Sequence, residues 1–278
     1  MINYTNKFFS IDILRIDDIK LHETTETNRL RNIYERISNS RYLMNPVIVG
    51  NYDNQRILID GANRLSTLKE IGCKLVIAQL TDYKSKRIRL RNWNHLIYDV
   101  KIENVIDYCL KKGYKYENKT YKEAKNIIQK FNNCILVSDI SNGQSILIYL
   151  PRKFKENIER LHTFTKFYFN IYNFDRSEEE ITYYDLRKYS RRNGLLVEFF
   201  HFNKKQIVKI AYNDAKLPAG ISRHILDNRV LHVRYEIAKL KDDRDLEQKR
   251  ADLNKYLLNK IDTNKVRQYR ESVIVFDE

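Results

Sequence analysis

Cysteine is scarce in this sequence, which has three among its 278 residues. Cys73, Cys109 and Cys134 each stand in an apolar setting, and no two of them have the spacing of a metal-binding pair. A metal site built on paired cysteines is therefore excluded. This usage is typical of a cytoplasmic protein with buried thiols.

Long hydrophobic runs are missing as well. No apolar run approaches the roughly 20 residues that a membrane-spanning helix needs, and the first ten residues lack the pattern of a signal peptide. The sequence also has no internal repeat and no low-complexity linker. We therefore expect a cytoplasmic protein with no membrane partner.

Acidic residues are outnumbered, with 36 Asp and Glu against 51 Lys and Arg, so the formal net charge is +15. The basic residues are scattered, and the densest cluster covers residues 187–192. The charge has two interpretations, a solvated basic surface or a binding site for a polyanion, and it would also attract a nucleotide triphosphate. A hydrophobic content of 42% excludes a disordered protein, and the length fits one large domain or two modest ones.

The segment 57–68 carries the strongest local pattern. A short apolar run ends at Asp60, Gly61 lets the backbone turn, and Arg64 lies in the first turn of a predicted helix. The start of such a helix attracts phosphate through its free N–H groups and its dipole. Asp60 then indicates a metal ion or a reacting hydroxyl beside the phosphate. Asp-Gly is also a common turn dipeptide, so a plain turn is the alternative interpretation.

Hydrophobic periodicity predicts a compact, strand-rich α+β unit over the first ~95 residues, and an α+β fold for the whole chain. An irregular loop is expected at 217–224, followed by a hairpin that turns at 227–228 between 225–226 and 229–233. The predicted helices cover 28–39, 62–71, 103–112, 120–131, 151–173, 203–213 and 243–260. The predicted strands include 47–49, 56–59, 75–80, 134–138, 145–150, 195–200 and 272–276.

The order and spacing of the elements over residues 11–80 resemble the N-terminal domain of ParB-like proteins. Three branches of that superfamily differ at the loop after Asp60. Partition ParB proteins carry Gly-Glu-Arg-Arg there, whereas residues 61–64 read Gly-Ala-Asn-Arg. Sulfiredoxins need a cysteine after the glycine, and Ala62 removes that nucleophile.

The chain resembles the third branch, the free L-serine kinases, over nearly its whole length. This family includes archaeal enzymes and the SbnI-type enzymes of siderophore synthesis. Residues 21–24 look like its Leu-His-Glu-Thr segment, 60–64 like its Asp-Gly-x-His-Arg, 93–95 like its Trp-x-His, and 218–224 like its Pro-Ala-Gly-Val/Ile-Thr-Arg. Asn63 stands where the family usually has histidine, and Ser222 replaces threonine.

The resemblance implies a ParB/sulfiredoxin-like nucleotide-binding domain at 1–98. It also implies a mixed α/β domain at 99–278 that contributes a substrate-binding loop. The implied reaction transfers a phosphoryl group from ATP, or from ADP, to the hydroxyl of free L-serine. The product is O-phospho-L-serine, and Mg²⁺ is required.

The same resemblance implies a role for each matching residue. Some of these residues have plainer interpretations: Glu23 can stabilise a helix dipole, Asp60 can belong to a turn and Arg64 can lie on the surface. His95 is more typical of a structural histidine. The implied catalytic residues are Glu23 and Asp60, with Asp60 also a magnesium ligand; the nucleotide-binding residues are Gly61, Ala62, Asn63 and Arg64; the substrate-binding residues are Trp93, Ser222, Arg223 and His224.

A DNA-binding transcriptional regulator without kinase activity is the competing hypothesis. The net charge and the ParB-like superfamily favour it, and DNA is then a further partner. No clear helix-turn-helix follows residue 100, where partition proteins place theirs. Glu23 and Asp60 would also be superfluous in a DNA-binding module.

Overall fold

The computed structural model describes residues 10–25, 27–131, 133–177, 194–213 and 215–269. The basic cluster at 187–192 and the predicted strand at 272–276 lie outside the described residues. Within them, short helices alternate with two larger sheets, one with mixed and one with antiparallel pairing, which gives a mixed α/β architecture. No helix of the described part of the chain is long and apolar enough to cross a membrane.

The N-terminal sheet has five strands in the order β1-β6-β4-β5-β2. Most residues of its three inner strands are buried, as expected of strands that are covered on both faces. The pairs β4/β6 and β2/β5 are parallel, and the other pairs are antiparallel. Two helices, α1 (Thr27–Ser38) and α2 (Ala62–Glu70), pack against each other beside it. The strands are β1 (Ile11–Arg15), β2 (Lys20–Leu21), β4 (Val47–Tyr52), β5 (Gln55–Asp60) and β6 (Leu75–Asp82).

The second sheet has six antiparallel strands in the order β12-β8-β13-β10-β11-β9. Its central strands β10, β11 and β13 are rich in Ile, Leu and Val and form the middle of the larger hydrophobic core. The strands are β8 (Asn94–Tyr98), β9 (Lys115–Lys119), β10 (Cys134–Asp139), β11 (Ser145–Tyr149), β12 (Phe174–Ser177) and β13 (Gly194–Phe199). The helices of this half are α3 (Ile102–Lys112), α4 (Tyr121–Lys130), α5 (Phe154–Thr165) and α6 (Lys204–Tyr212).

Two sequence predictions for this half are wrong in detail. The helix expected at 151–173 ends at Thr165, and Asn170 adopts a positive φ of 63°, which a helix does not allow. The hairpin expected at 225–233 does not form. Instead β14 (Ser222–Leu226) pairs with β7 (Ile88–Asn92), so residues 222–224 lie on a strand and not in an irregular loop.

The end of the described chain returns to the N-terminal sheet. Strand β15 (Tyr235–Glu236) pairs with β3 (Tyr42–Leu43), and α7 (Leu246–Asp262) packs on β1. Val233, Ile237, Leu240 and Leu253 are buried in the same core as β1 and β6. The division into domains at residue 98 stays a prediction. All three cysteines are buried free thiols, as predicted.

Candidate active site

One pocket brings together all ten residues to which the resemblance assigns a catalytic, nucleotide-binding or substrate-binding role. The predicted residues lie in the chain after β2, at the junction of β5 and α2, between β7 and β8, and on strand β14. These elements come from four separate parts of the chain, so the fold alone creates the pocket. The predicted residues that line it are Glu23, Asp60, Gly61, Ala62, Asn63, Arg64, Trp93, Ser222, Arg223 and His224.

The junction of β5 and α2 has the geometry that the segment 57–68 predicts. Strand β5 ends at Asp60, Gly61 adopts a φ of 98° that favours glycine, and α2 begins at Ala62. Arg64 turns back along the helix, with its Nη2 2.7 Å from Asp60 Oδ2 and its Nη1 2.9 Å from the Pro46 carbonyl. Arg64 is therefore held inside the pocket, and the interpretation as an ordinary surface arginine is wrong.

Glu23 is bound by the chain before and along β14. Its Oε2 accepts a hydrogen bond from the Gly220 amide at 2.9 Å, and its Oε1 accepts one from the Ser222 amide at 2.6 Å. The backbone also pairs here, since the Leu217 amide donates to the His22 carbonyl and the Thr24 amide donates to the Leu217 carbonyl. These bonds fix the orientation of the Glu23 carboxylate beside the pocket.

Gly220 adopts a backbone conformation that favours glycine. Its φ is +73°, and a Cβ at this position would overlap the guanidinium of Arg176. Arg176 itself lines the pocket. The glycine thus lets the backbone that holds Glu23 approach Arg176, which is a second cationic side chain of the pocket besides Arg64.

A buried polar network lies behind the carboxylate of Glu23. His22 Nδ1 donates to the Leu58 carbonyl at 2.9 Å, which leaves Nε2 to accept a hydrogen bond from the Ser222 hydroxyl at 2.8 Å. His224 stands edge-on to His22, and its Nε2 is hydrogen-bonded to Tyr83 Oη at 2.8 Å. Burial lowers the pKa of both histidines, so both imidazoles are neutral at pH 7.

His95 is a structural histidine, as its sequence setting indicates. It is fully buried, its Nε2 donates to the Gly220 carbonyl at 2.8 Å, and its Nδ1 accepts from Tyr168 Oη at 2.5 Å. Burial lowers its pKa to about 3. His95 therefore supports the backbone at Gly220 from behind, while Trp93 and Arg223 face the pocket with the Arg223 guanidinium 4.4 Å from the centre of the indole ring.

These buried histidines predict a loss of stability at mildly acidic pH. Their pKa values are lower in the folded state than in the unfolded chain, where they lie near 6.5. The unfolded chain therefore takes up protons first as the pH falls, so the stabilisation is complete above pH 6.5 and declines below it. At pH 5.5 the unfolding free energy should therefore be lower than at pH 7.5, by roughly 1 kcal/mol for a histidine such as His95 that stays neutral in the folded state.

Urea denaturation at pH 7.5, 6.5 and 5.5 checks this expectation. The midpoint should change little between the first two values and fall clearly at pH 5.5. A His232→Gln variant, which alters an exposed histidine, should show the same fall. A midpoint that stays constant from pH 7.5 to 5.5 would show that the buried imidazoles do not resist protonation.

Two arginines of the pocket are not among the residues predicted from the sequence. Arg176 lies on β12, and Arg229 lies in the connection from β14 to β15, with its Nη1 3.3 Å from Asp60 Oδ2. Neither residue belongs to a recognisable motif, so only the fold reveals them. Among the described residues, four arginines and two carboxylates line the pocket, which gives it a positive charge suited to an anionic ligand.

Known proteins with similar sequences are serine kinases, although no protein-family model matches the chain. The chain is 26% identical over 229 residues to the ATP-dependent L-serine kinase of Staphylothermus marinus, a match that covers 77% of this chain and 84% of that relative. It is 22% identical over 270 residues to the ATP-dependent L-serine kinase SbnI of Staphylococcus aureus, covering 96% and 97% of the two chains. The chain is thus similar in sequence to ATP-dependent L-serine kinases over most of its length.

Solved structures of serine kinases share the fold of this chain. A C-terminally truncated SbnI has a TM-score of 0.71 at 21% sequence identity and covers 90% of this chain and 97% of its own. A free serine kinase in complex with ADP, a variant with one glutamate replaced by alanine, has a TM-score of 0.73 at 15% identity and covers 84% and 95%. The combination of helices and sheets that the sequence predicts as an α+β fold is thereby confirmed at the level of a mixed α/β architecture.

Proposed function

We propose that the chain is an ATP-dependent free L-serine kinase that forms O-phospho-L-serine. The observation that carries the proposal is the convergence of Glu23 and Asp60, 37 positions apart in the sequence, on one pocket at the start of α2. Phosphoryl transfer needs positioning, charge neutralisation and an acceptor for the hydroxyl proton. The pocket offers residues suited to each of these tasks.

The start of α2 is the proposed site of the nucleotide phosphates. The first amides of a helix have no partner within the helix, and the helix dipole adds positive potential there. Gly61, Ala62, Asn63 and Arg64 form this start, and the Arg64 guanidinium supplies a charged donor next to it. ATP is the proposed donor because both curated relatives are named as ATP-dependent kinases.

Glu23 is the proposed acceptor of the proton from the serine hydroxyl. In the reaction, the serine oxygen forms a bond to the terminal phosphorus, the bond from that phosphorus to the ADP oxygen breaks, and the proton passes to the carboxylate. Two backbone amides already orient the carboxylate, and each of its oxygens keeps a further lone pair. Such preorganisation is what general-base catalysis requires.

Asp60 is the residue suited to hold Mg²⁺. The described residues contain no group of three or more His, Cys, Asp and Glu that could hold a metal ion by themselves. Magnesium in kinases is commonly bound by one or two carboxylates together with the substrate phosphates, and Asp60 beside the start of α2 fits that arrangement. When bound, the ion would neutralise charge on the phosphates.

Trp93, Ser222, Arg223 and His224 are the proposed residues for serine recognition. Arg223 lies over the Trp93 ring and can pair with the serine carboxylate. Ser222 and His224 are already engaged with His22 and Tyr83, so we assign them to shaping the wall of the pocket. The ParB-like character of residues 1–98 and the cytoplasmic location remain part of this proposal.

A direct assay tests the function. The purified chain is incubated with ATP, Mg²⁺ and L-serine, and O-phospho-L-serine is measured by mass spectrometry; ADP replaces ATP in a parallel reaction. We expect phosphoserine with L-serine and none with L-alanine, which lacks the hydroxyl. Absence of product together with salt-sensitive DNA binding would favour the regulator instead, although the names of the relatives favour the kinase.

A further inference from the structure

Arg229 is, with Arg176, one of the two pocket cations to which the proposed function gives no role. Its side chain is 36% exposed and reaches the same oxygen of Asp60 that Arg64 contacts. The Arg64 pair is shorter, at 2.7 Å against 3.3 Å for Arg229. Asp60 is therefore neutralised by Arg64, and Arg229 adds a second positive charge at the same place.

The backbone around Arg229 is held by a buried glutamine. Gln79, on the inner strand β6 of the N-terminal sheet, is 5% exposed. Its Nε2 donates to the Asn228 carbonyl at 3.0 Å, and its Oε1 accepts from the Val230 amide at 2.9 Å. One side chain thus binds the backbone on both sides of Arg229 and fixes the point from which that arginine enters the pocket.

A further contact holds the same connection. The His232 amide donates to Asn45 Oδ1 at 2.8 Å, and Asn45 immediately precedes the residue whose carbonyl accepts from Arg64. The segment that carries Arg229 is therefore joined to the segment that holds Arg64. A surface arginine with a chance ion pair does not need such support, because exposed pairs contribute little to stability.

We propose that Arg229 is a phosphate-binding residue and that Gln79 is its positioning residue. When the donor binds, the Arg229 guanidinium exchanges its long contact with Asp60 for the terminal phosphates, which can accept two parallel hydrogen bonds from it. This releases Asp60 from one of its two cations. The inference rests on the proposed function, because it takes ATP as the donor.

Calorimetric titration with ATP, ADP and AMP tests the assignment in Arg229→Gln. AMP lacks the terminal phosphates, so it reports on the rest of the nucleotide site. We expect the affinity for ATP to fall about 10- to 100-fold, since hydrogen bonds between charged groups are strong, and the affinity for AMP to change less than about threefold. Arg229→Lys, which keeps the charge and loses the planar fork, should fall between wild type and Arg229→Gln.

Arg41→Gln is the matched control, since Arg41 pairs with Glu236 outside the residues that line the pocket. It should leave all three affinities unchanged. Equal losses for ATP and AMP in Arg229→Gln would show that Arg229 only supports the site, and unchanged ATP affinity would show that it does not meet the phosphates. Either result overturns the inference.

A double variant tests Gln79. Gln79→Met removes both backbone bonds and should weaken ATP binding in the same direction as Arg229→Gln, without weakening AMP binding. If Gln79 acts through Arg229, its replacement should cause no further loss of ATP affinity in the Arg229→Gln background. Additive losses would overturn its role as a positioning residue.

The kinase assay separates failure of this inference from failure of the proposed function. If the wild type binds ATP through Arg229 but makes no phosphoserine, the phosphate assignment holds and the kinase proposal fails. If the wild type makes phosphoserine and Arg229→Gln binds ATP normally, the inference fails and the kinase proposal holds.

Discussion

Replacing Glu23 with glutamine should lower the turnover number for L-serine by about 10²- to 10⁴-fold, the usual contribution of a general base. The variant should still bind nucleotide, because the proposed phosphate site lies at the start of α2 and not at Glu23. The measurement is the rate of O-phospho-L-serine formation at saturating ATP, combined with the dissociation constant for ADP.

The structure adds a second consequence of the same change. Glutamine has one acceptor oxygen, whereas the Glu23 carboxylate accepts from two amides, those of Gly220 and Ser222. One amide would then face an NH₂ group, so this backbone should loosen and the serine KM should rise. Glu23→Asp keeps the charge and both acceptors on a shorter side chain, and it should retain more activity than Glu23→Gln.

Glu236→Gln is the control for this pair of variants. Glu236 forms an ion pair with Arg41 on the surface, so its loss should leave turnover unchanged. Full turnover in Glu23→Gln would show that another group accepts the hydroxyl proton. Loss of ADP binding along with turnover would show that Glu23 holds the pocket together and does not act on the hydroxyl.

Replacing Asp60 with asparagine should lower turnover about 100-fold or more. The same change should strengthen the binding of ADP when no metal ion is present. Asp60 lies between the guanidinium groups of Arg64 and Arg229. The nearly isosteric asparagine removes one negative charge there, so ADP in the presence of a chelator should bind several-fold more tightly. Turnover should fall because the carboxylate proposed to hold Mg²⁺ is lost.

Two titrations and one rate measure this prediction: ADP with and without Mg²⁺, and phosphoserine formation. In the wild type Mg²⁺ should strengthen ADP binding, and in Asp60→Asn this gain should shrink. Asp53→Asn, which removes an exposed carboxylate paired with Lys84, serves as the control and should behave as the wild type. A variant that binds metal-free ADP more weakly than the wild type would contradict the electrostatic argument.

The sequence was most informative where the chemistry is local. Asp60, Gly61 and Arg64 are close in the chain, so a strand end, a glycine turn and a helix start could be predicted together and are found together. Arg229 could not be predicted in this way. Its place depends on Gln79, which is 150 positions away in the sequence, and a single sequence carries no signal for such a pair.

The wrong prediction of a hairpin at 225–233 has a different cause from the missed Arg229. Asp227-Asn228 has the composition of a tight turn, and that local signal concealed a partner far away in the sequence. In β7, Ile88 and Leu90 alternate with Arg89 and Arg91, a period of two that indicates a strand, and this strand is the true neighbour of β14. The signal was present, but pairing between distant strands is not specified by either strand alone.

The return of residues 233–253 to the first sheet affects how the protein is made. Buried residues from Val233 to Leu253 complete a core whose other buried members, from Ile11 to Ala78, lie within the first 80 residues. A ribosome therefore synthesises most of the molecule before that core can form. Until then, the apolar surface of β1 and β6 remains exposed to solvent. We expect such nascent chains to depend on holding chaperones until residue 253 has emerged.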